Sequence, residues 1–213
     1  MAGRTAIRFG LAVVLLAALP ACQQMAITWF HMTGGDTVEA KFKLTSGKLA
    51  VVVDDPQGLI VVPSTFRAFQ QKLEEEFTSK GVKTKVVPFD QWDRLRRTDP
   101  DYNDTTKTSR RLIGEKLGAE QVLFLDVTDF RLKREPSTPV FQGRFAVRVS
   151  VYSTERKRDV RLWPEQEGGE AVVVETQPRP SDGDEAASDV AHELAQKMAV
   201  DVAKLFYDHK EKD

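Results

Sequence analysis

Cysteine and histidine are both scarce in this chain of 213 residues. Cys22 is the single cysteine, so no disulfide can form within the chain, and an unpaired thiol is a liability in an oxidising compartment. None of the three histidines has the spacing to Cys, Asp or Glu that a metal site requires. We therefore expect no metal and no cofactor.

The short motifs of common enzymes are also missing. The chain contains no G-x-S-x-G, no P-loop and no G-x-G-x-x-G. Two pairs of carboxylates remain, Asp54 with Asp55 and Asp126 with Asp129, each at the predicted end of a strand. Such pairs can bind ligands or transfer protons, but solvated loops and turns explain them without a nucleophile or metal. We predict a protein that is not an enzyme and has no catalytic residue.

Charge, composition and hydropathy set three further bounds. The net charge is −1 at pH 7, so no overall positive charge favours nucleic acid as a partner. Hydrophobic residues make up 41% and charged residues 30%, as in folded globular proteins. After the first 21 residues, no segment of the sequence is apolar over a length that would span a bilayer.

The amino terminus has the pattern of an export signal. Two arginines precede an uncharged, mostly apolar run from residue 9 to residue 19, which is shorter than the roughly 20 residues of a membrane-spanning helix. The run ends in Leu19-Pro20-Ala21-Cys22, which resembles the lipobox of bacterial lipoproteins, although proline departs from the usual Ala, Ser, Thr or Val. This resemblance implies that Cys22 carries a diacylglycerol thioether and that its amino group is acylated.

These features predict four segments. Residues 1–21 form the lipoprotein signal peptide, 22–46 a lipidated tether, 47–207 a single α/β domain and 208–213 a charged tail. Because each buried CH₂ group contributes about 0.8 kcal/mol, two or more acyl chains would hold the domain firmly at a membrane.

Hydrophobic periodicity predicts the element order β-α-β-(α)-α-β-β-β-α within the domain. Continuous apolar runs at 48–54 and 121–127 indicate buried strands, and strict alternation at 141–152 indicates a half-exposed one. Apolar stripes indicate helices, including one at 106–117 with Leu112 in the core and a long one at 184–207. The order implies an α/β domain of the α+β type, with helices packed against a mixed sheet of about five strands. We expect one core that contains Val51, Val53, Phe69, Leu73, Leu123, Leu125, Val147, Leu194 and Val202.

A family resemblance follows from these elements. The opening strand Leu49-Ala50-Val51-Val52-Val53 and the helix end Leu117-Gly118-Ala119-Glu120, which leads straight into the next strand, resemble the amino-terminal domain of the translocation protein TolB. Its lipoprotein relatives include the curli-secretion lipoprotein and the activators of penicillin-binding proteins. The resemblance covers roughly residues 47 to 207. It implies an envelope lipoprotein that binds other proteins, and it carries over no catalytic residue.

Charge is unevenly distributed in the second half of the chain. Residues 131–161 hold nine basic and three acidic residues, whereas residues 162–189 hold eight acidic residues and one basic residue. Two interpretations stay open. Either Arg144 and Arg148 face Glu170 and Glu175 across paired strands, or the segment is a basic surface for an anionic partner. For the second interpretation the candidate residues are Arg131, Lys133, Arg134, Arg144 and Arg148.

The function that these patterns favour is that of a membrane-anchored accessory or scaffold lipoprotein, which binds another envelope protein and faces the periplasm. One alternative is a subunit of an oligomeric secretion or envelope assembly, and another is a small-ligand sensing domain. Gln23 after the cysteine predicts the outer membrane in a Gram-negative host, where Asp at that position commonly retains lipoproteins in the inner membrane.

Overall fold

The computed structural model describes residues 36–102, 105, 108–132, 140–180 and 184–211. The helices are α1 (Ser64–Ser79), α2 (Phe89–Thr98), α3 (Arg110–Lys116) and α4 (Asp184–Lys204), and Pro100–Tyr102 forms a short 3₁₀ helix. The strands are β1 (Thr37–Val38), β2 (Lys48–Asp54), β3 (Lys85–Val86), β4 (Gln121–Arg131), β5 (Val140–Phe141), β6 (Arg144–Ser153), β7 (Val160–Trp163), β8 (Glu170–Glu175), β9 (Arg179–Pro180) and β10 (His209–Lys210).

The central sheet is mixed, as predicted. Its strand order is β3-β2-β4-β6-β7, and β8 joins β6 as a sixth strand. The strands β2, β3 and β4 are parallel, whereas β4, β6, β7 and β8 pair antiparallel. The predicted fold class is confirmed, with six strands where the sequence indicated about five.

The first face of this sheet carries the larger core. Alternate side chains of β2, β4 and β6 pack against α1 and α4, because successive residues of a strand point to opposite faces. The predicted core is confirmed. Of its members, Val53 is partly buried and packs against the cluster, and the buried ones are Val51, Phe69, Leu73, Leu123, Leu125, Val147, Leu194 and Val202.

The second face is covered only in part. Ala50 and Val52 of β2 pack there with Trp92 of α2 and Ile113 of α3. The prediction that Leu112 belongs to the core is wrong, since this side chain is 40% exposed. The helix α3 spans Arg110–Lys116 and is shorter than the predicted 106–117, and its buried residues are Ile113 and Gly114.

The turn after α3 shows why the chain enters β4 where it does. Gly118 has a φ of 65°, a left-handed conformation that glycine adopts without a steric penalty. The Ala119 amide donates to the Gly114 carbonyl over 2.9 Å and closes the helix end. The next residue, Glu120, donates its amide to the Lys48 carbonyl over 2.9 Å, which starts the pairing of β4 with β2.

Two short strands lie outside the main compact unit, which spans Ala40–Tyr207. β1 and β10 pair antiparallel, with Thr37 opposite Lys210 and Val38 opposite His209. The sequence assigned both segments to the tether and the tail. Cys22 and the rest of the predicted signal and anchor lie outside the described residues.

Candidate functional site

The candidate site is the part of the second sheet face that the helices α2 and α3 leave uncovered. Strand register determines which side chains share it. Arg148 lies opposite Asp126 on one side and Ala171 on the other. We use the name open face for the side chains of Asp54, Asp126, Asp129, Arg131, Arg144, Ala146, Arg148, Ala171, Val173 and Glu175.

Arg144 is held by carboxylates on both neighbouring strands. Its Nε donates to Oδ2 of Asp129 over 3.1 Å, and its Nη1 forms an ion pair with Glu175, directly opposite in the register. Arg131 donates to the same Asp129 oxygen over 2.8 Å. Arg144 therefore meets Glu175 across the paired strands, whereas Arg131 is neutralised by Asp129 within β4.

Arg148 is placed differently. Its exposed side chain donates from Nη1 to the Gly168 carbonyl over 3.1 Å, and it faces Asp126 on β4. The expected partner Glu170 lies opposite Val149 and pairs instead with Lys41. That part of the cross-strand prediction is wrong.

Glu170 does not face Arg148 because one pair of residues has an even spacing along its strand and the other has an odd spacing. Arg144 and Arg148 are four residues apart and share a face, whereas Glu170 and Glu175 are five apart and point to opposite faces. Lys133 and Arg134, the other predicted members of the basic surface, lie outside the described residues.

One end of the open face is a buried polar centre. Asp54 and Asp126 lie side by side in the parallel register of β2 and β4. Asp54 is 7% exposed and accepts a hydrogen bond from the Thr105 hydroxyl. The expectation of a solvated loop is therefore wrong for Asp54, which is the last residue of β2. Its neighbour Asp55 does shape the following loop, accepting the Leu59 and Ile60 amides over 2.9 and 2.8 Å.

The environment of Asp126 alters its ionisation. Burial raises the pKa of this carboxyl, and the negative charge of Asp54 raises it further. Arg148 and Arg110 act in the opposite direction, but the pKa stays above its usual range. The guanidinium of Arg110 also lies over the Phe124 ring, with its central carbon 4.6 Å from the ring centroid.

Asp126 and Asp129 do not end a strand, as the sequence suggested. β4 continues to Arg131, and a register shift between Val127 and Asp129 marks a bulge. This bulge brings two residues of odd spacing onto the same face. A bulge leaves no clear signal in hydrophobic periodicity, so this alignment was not predictable.

Two other pKa values are shifted by pairing on helices: the hydrogen bond from Lys197 lowers the pKa of Glu193 on α4, and the hydrogen bond to Glu76 raises the pKa of Lys72 on α1. His192 on α4 lies 3.0 Å from the side-chain nitrogen of Gln196. Within the described ranges, no three His, Cys, Asp or Glu side chains come together as a metal site requires. The same part of the chain holds no helix long and apolar enough to cross a membrane.

Comparison with known proteins gives only distant likenesses. No family model matches the chain, and no curated protein matches it. Among solved structures, the lipoprotein GNA1162 from Neisseria meningitidis is 10% identical, with a TM-score of 0.42 over 75% of this chain and 99% of that one. The PelC dodecamer from Paraburkholderia phytofirmans is 13% identical, with a TM-score of 0.37 over 78% and 94%. The hypothetical protein CT253 from Chlamydia trachomatis is 10% identical, with a TM-score of 0.38 over 75% and 96%. At these scores the likeness carries no argument about function, which is therefore inferred from the residues of the chain itself.

Proposed function

We propose that this chain is an exported lipoprotein, anchored through Cys22, whose domain binds another envelope protein as a non-catalytic accessory. The anchor rests on the basic residues, the short apolar run and the lipobox-like end of the amino terminus. The domain then works at a membrane surface, facing the periplasm, and in a Gram-negative host Gln23 favours the outer membrane.

The observation that carries the binding role is the composition of the open face. Val173 is 46% exposed at the middle of β8, opposite the buried Ala146. Arg144 and Glu175 border this apolar spot on one side and Arg148 on the other. An apolar centre within a polar rim is the usual arrangement of a protein interface, and arginine is enriched in interfaces. The surrounding charges are largely paired among themselves, so they would orient a partner more than attract it from a distance.

An assembly of several copies is the alternative function, and the outer edge of β8 is the feature that favours it. Among the described strands, β8 pairs only with β6, which leaves its outer edge for another strand. Unpaired edges readily join a second chain. Glu170 and Glu175 at the two ends of β8 oppose such a contact between identical copies, because they would bring like charges together. We therefore place the accessory role first.

Site-specific photo-crosslinking in cells tests the proposal. A photoreactive residue replaces Val173 on the open face or, as the matched control, Val61, which is 71% exposed in the loop before α1. We expect the position at Val173 to capture one other envelope protein and the position at Val61 to capture none. Crosslinks from Val173 only to further copies of the chain would favour the assembly. Equal capture at both positions, or none at either, would contradict a binding role for the open face.

A further inference from the structure

A second surface lies at the end of the sheet where β2, β3 and β4 begin and β6 ends. Strand pairing brings these termini together. Lys48 is opposite Lys85, Gln121 is opposite Ser153, and the Thr154 amide donates to the Glu120 carbonyl over 3.1 Å. Four strands at a spacing of about 4.8 Å make this end on the order of 15 Å wide.

This end of the sheet concentrates exposed basic side chains. They come from the start of β2, from the residues at β3 and from the turn between β6 and β7. We call them the basic end: Lys48, Lys83, Lys85, Arg156, Lys157 and Arg158. Within the described part of the chain, none of the six forms an ion pair or a side-chain hydrogen bond, unlike Arg131 and Arg144 on the open face.

The acidic residues on the same turns do not cancel this charge. They number three, Glu120, Glu155 and Asp159. Asp159 is already engaged, since it accepts the Arg111 amide over 2.8 Å and the Ser109 hydroxyl over 2.6 Å at the start of α3. The excess is local, because the whole chain has a net charge of −1. A local excess attracts an anionic surface even when the molecule as a whole is close to neutral.

The segment directly before β2 joins the sheet at the basic end. There the Thr45 amide and hydroxyl donate to Oε1 of Gln121 over 3.0 and 3.1 Å. Three lysines and a run of Arg-Lys-Arg on long, unpaired side chains suit a fluid layer of charged headgroups better than a ligand of fixed shape. Each basic residue near an anionic bilayer strengthens adsorption about fivefold.

We infer that the basic end docks against anionic phospholipid headgroups of the membrane that holds the anchor. This inference rests on the proposed lipoprotein function, because it is the anchor that keeps the domain within reach of the bilayer. Docking through an end of the sheet leaves the open face pointing along the membrane plane, where a partner protein can still bind it.

Energy transfer in proteoliposomes tests the docking with the full-length lipidated protein. A donor dye is attached at Ser46→Cys, an exposed position beside Lys48, and the acceptor is a headgroup-labelled lipid. Vesicles contain phosphatidylcholine alone or mixed with phosphatidylglycerol. We expect phosphatidylglycerol to increase the transfer and about 1 M salt to abolish the increase, because screening then acts within about 3 Å.

Charge reversal identifies the surface. Arg156→Glu with Lys157→Glu should lower the phosphatidylglycerol-dependent increase by at least about half. Arg94→Glu with Arg97→Glu changes the net charge equally on the exposed surface of α2 and should leave the increase intact. Circular dichroism melting checks that both variants remain folded.

Three results would overturn the inference. The first is equal energy transfer in both kinds of vesicle, measured on protein that floats with the vesicles. The second is an equal loss of the phosphatidylglycerol-dependent increase in both double variants. The third is binding of polyglutamate through Arg156 and Lys157 without any response to phosphatidylglycerol, which would assign the basic end to an acidic protein. Protein that fails to float with vesicles would refute the anchor instead, so the two failures are distinguishable.

Discussion

At the scale of single residues, the distinctive environment is that of Asp126. Its carboxyl lies partly buried beside Asp54, and both effects raise its pKa. The folded state then holds this proton more tightly than the unfolded chain does. The contribution of Asp126 to the free energy of unfolding therefore falls as pH rises from about 4, where an ordinary aspartate ionises, through the raised pKa of this carboxyl.

Asp126→Asn removes this ionisation and the loss in the free energy of unfolding that accompanies it. We expect the free energy of unfolding of the variant, relative to that of the wild type, to increase between about pH 3.5 and about pH 7. Denaturant titrations across this range measure the difference. Asp90→Asn, at a side chain that is 71% exposed on α2, is the control for the same chemical change. A relative stability that stays constant or decreases with pH would contradict the account of this site.

The ion pair between Arg144 and Glu175 gives a second prediction at this scale. Both side chains are partly exposed, at 36% and 48%, so the pair contributes about 0.2–1 kcal/mol. We expect Arg144→Glu to lower the free energy of unfolding by about 1 kcal/mol, since Glu175 and Asp129 then repel the new carboxylate. Adding Glu175→Lys should restore part of the loss in a double-mutant cycle.

Arg148 and Glu170, which do not face each other, serve as the control for that experiment. Glu170 points to the other face of β8, so Glu170→Lys should not rescue Arg148→Glu. Rescue there would show that the strand register is not the one described. The sequence alone predicts this mismatch, because residues four apart in one strand and residues five apart in its partner cannot all lie on one face of the sheet.

At the scale of elements, the sequence predicted the long elements with strong hydrophobic periodicity, but it did not predict the short strands. The alternation along β6 placed Phe145, Val147, Val149 and Val151 in the core, as observed. Periodicity did not identify β7, because four half-buried residues are too few to show a period. The bulge that extends β4 to Arg131 was missed for a related reason, since one extra residue breaks the alternation that identifies a strand.

The central strand β4 supplies the prediction for this scale. Leu125 is 1% exposed between β2 and β6, and its side chain packs in the larger core. Leu125→Ala should lower the free energy of unfolding by about 2–5 kcal/mol through lost burial and an unfilled cavity. Leu112→Ala, at a side chain 40% exposed on α3, should change it by no more than about 0.5 kcal/mol. Equal effects of the two substitutions in urea titrations would contradict the assignment of the core.

At the scale of the whole molecule, two surfaces have different orientations and different charges. The open face has mostly paired charges around Val173, and the basic end has unpaired lysines and arginines. The sequence indicated a basic segment at 131–161, but it did not show that the segment contributes to two separate surfaces. Arg144 meets carboxylates only because β4 and β8 flank β6, whereas Arg156–Arg158 lie in a turn beyond the ladder. The division depends on pairing between distant segments, which hydrophobic periodicity does not specify.

Both proposed surfaces depend on the anchor at Cys22, which makes lipid attachment the central claim. Metabolic labelling with a fatty acid in a bacterial host tests it directly. The wild-type protein should carry the label and appear in its processed form, because Cys22 is the only cysteine and stands at the end of the lipobox-like sequence. Cys22→Ser should carry no label and accumulate as the unprocessed precursor. Equal labelling of the wild type and the variant, or no labelling of either, would contradict the account.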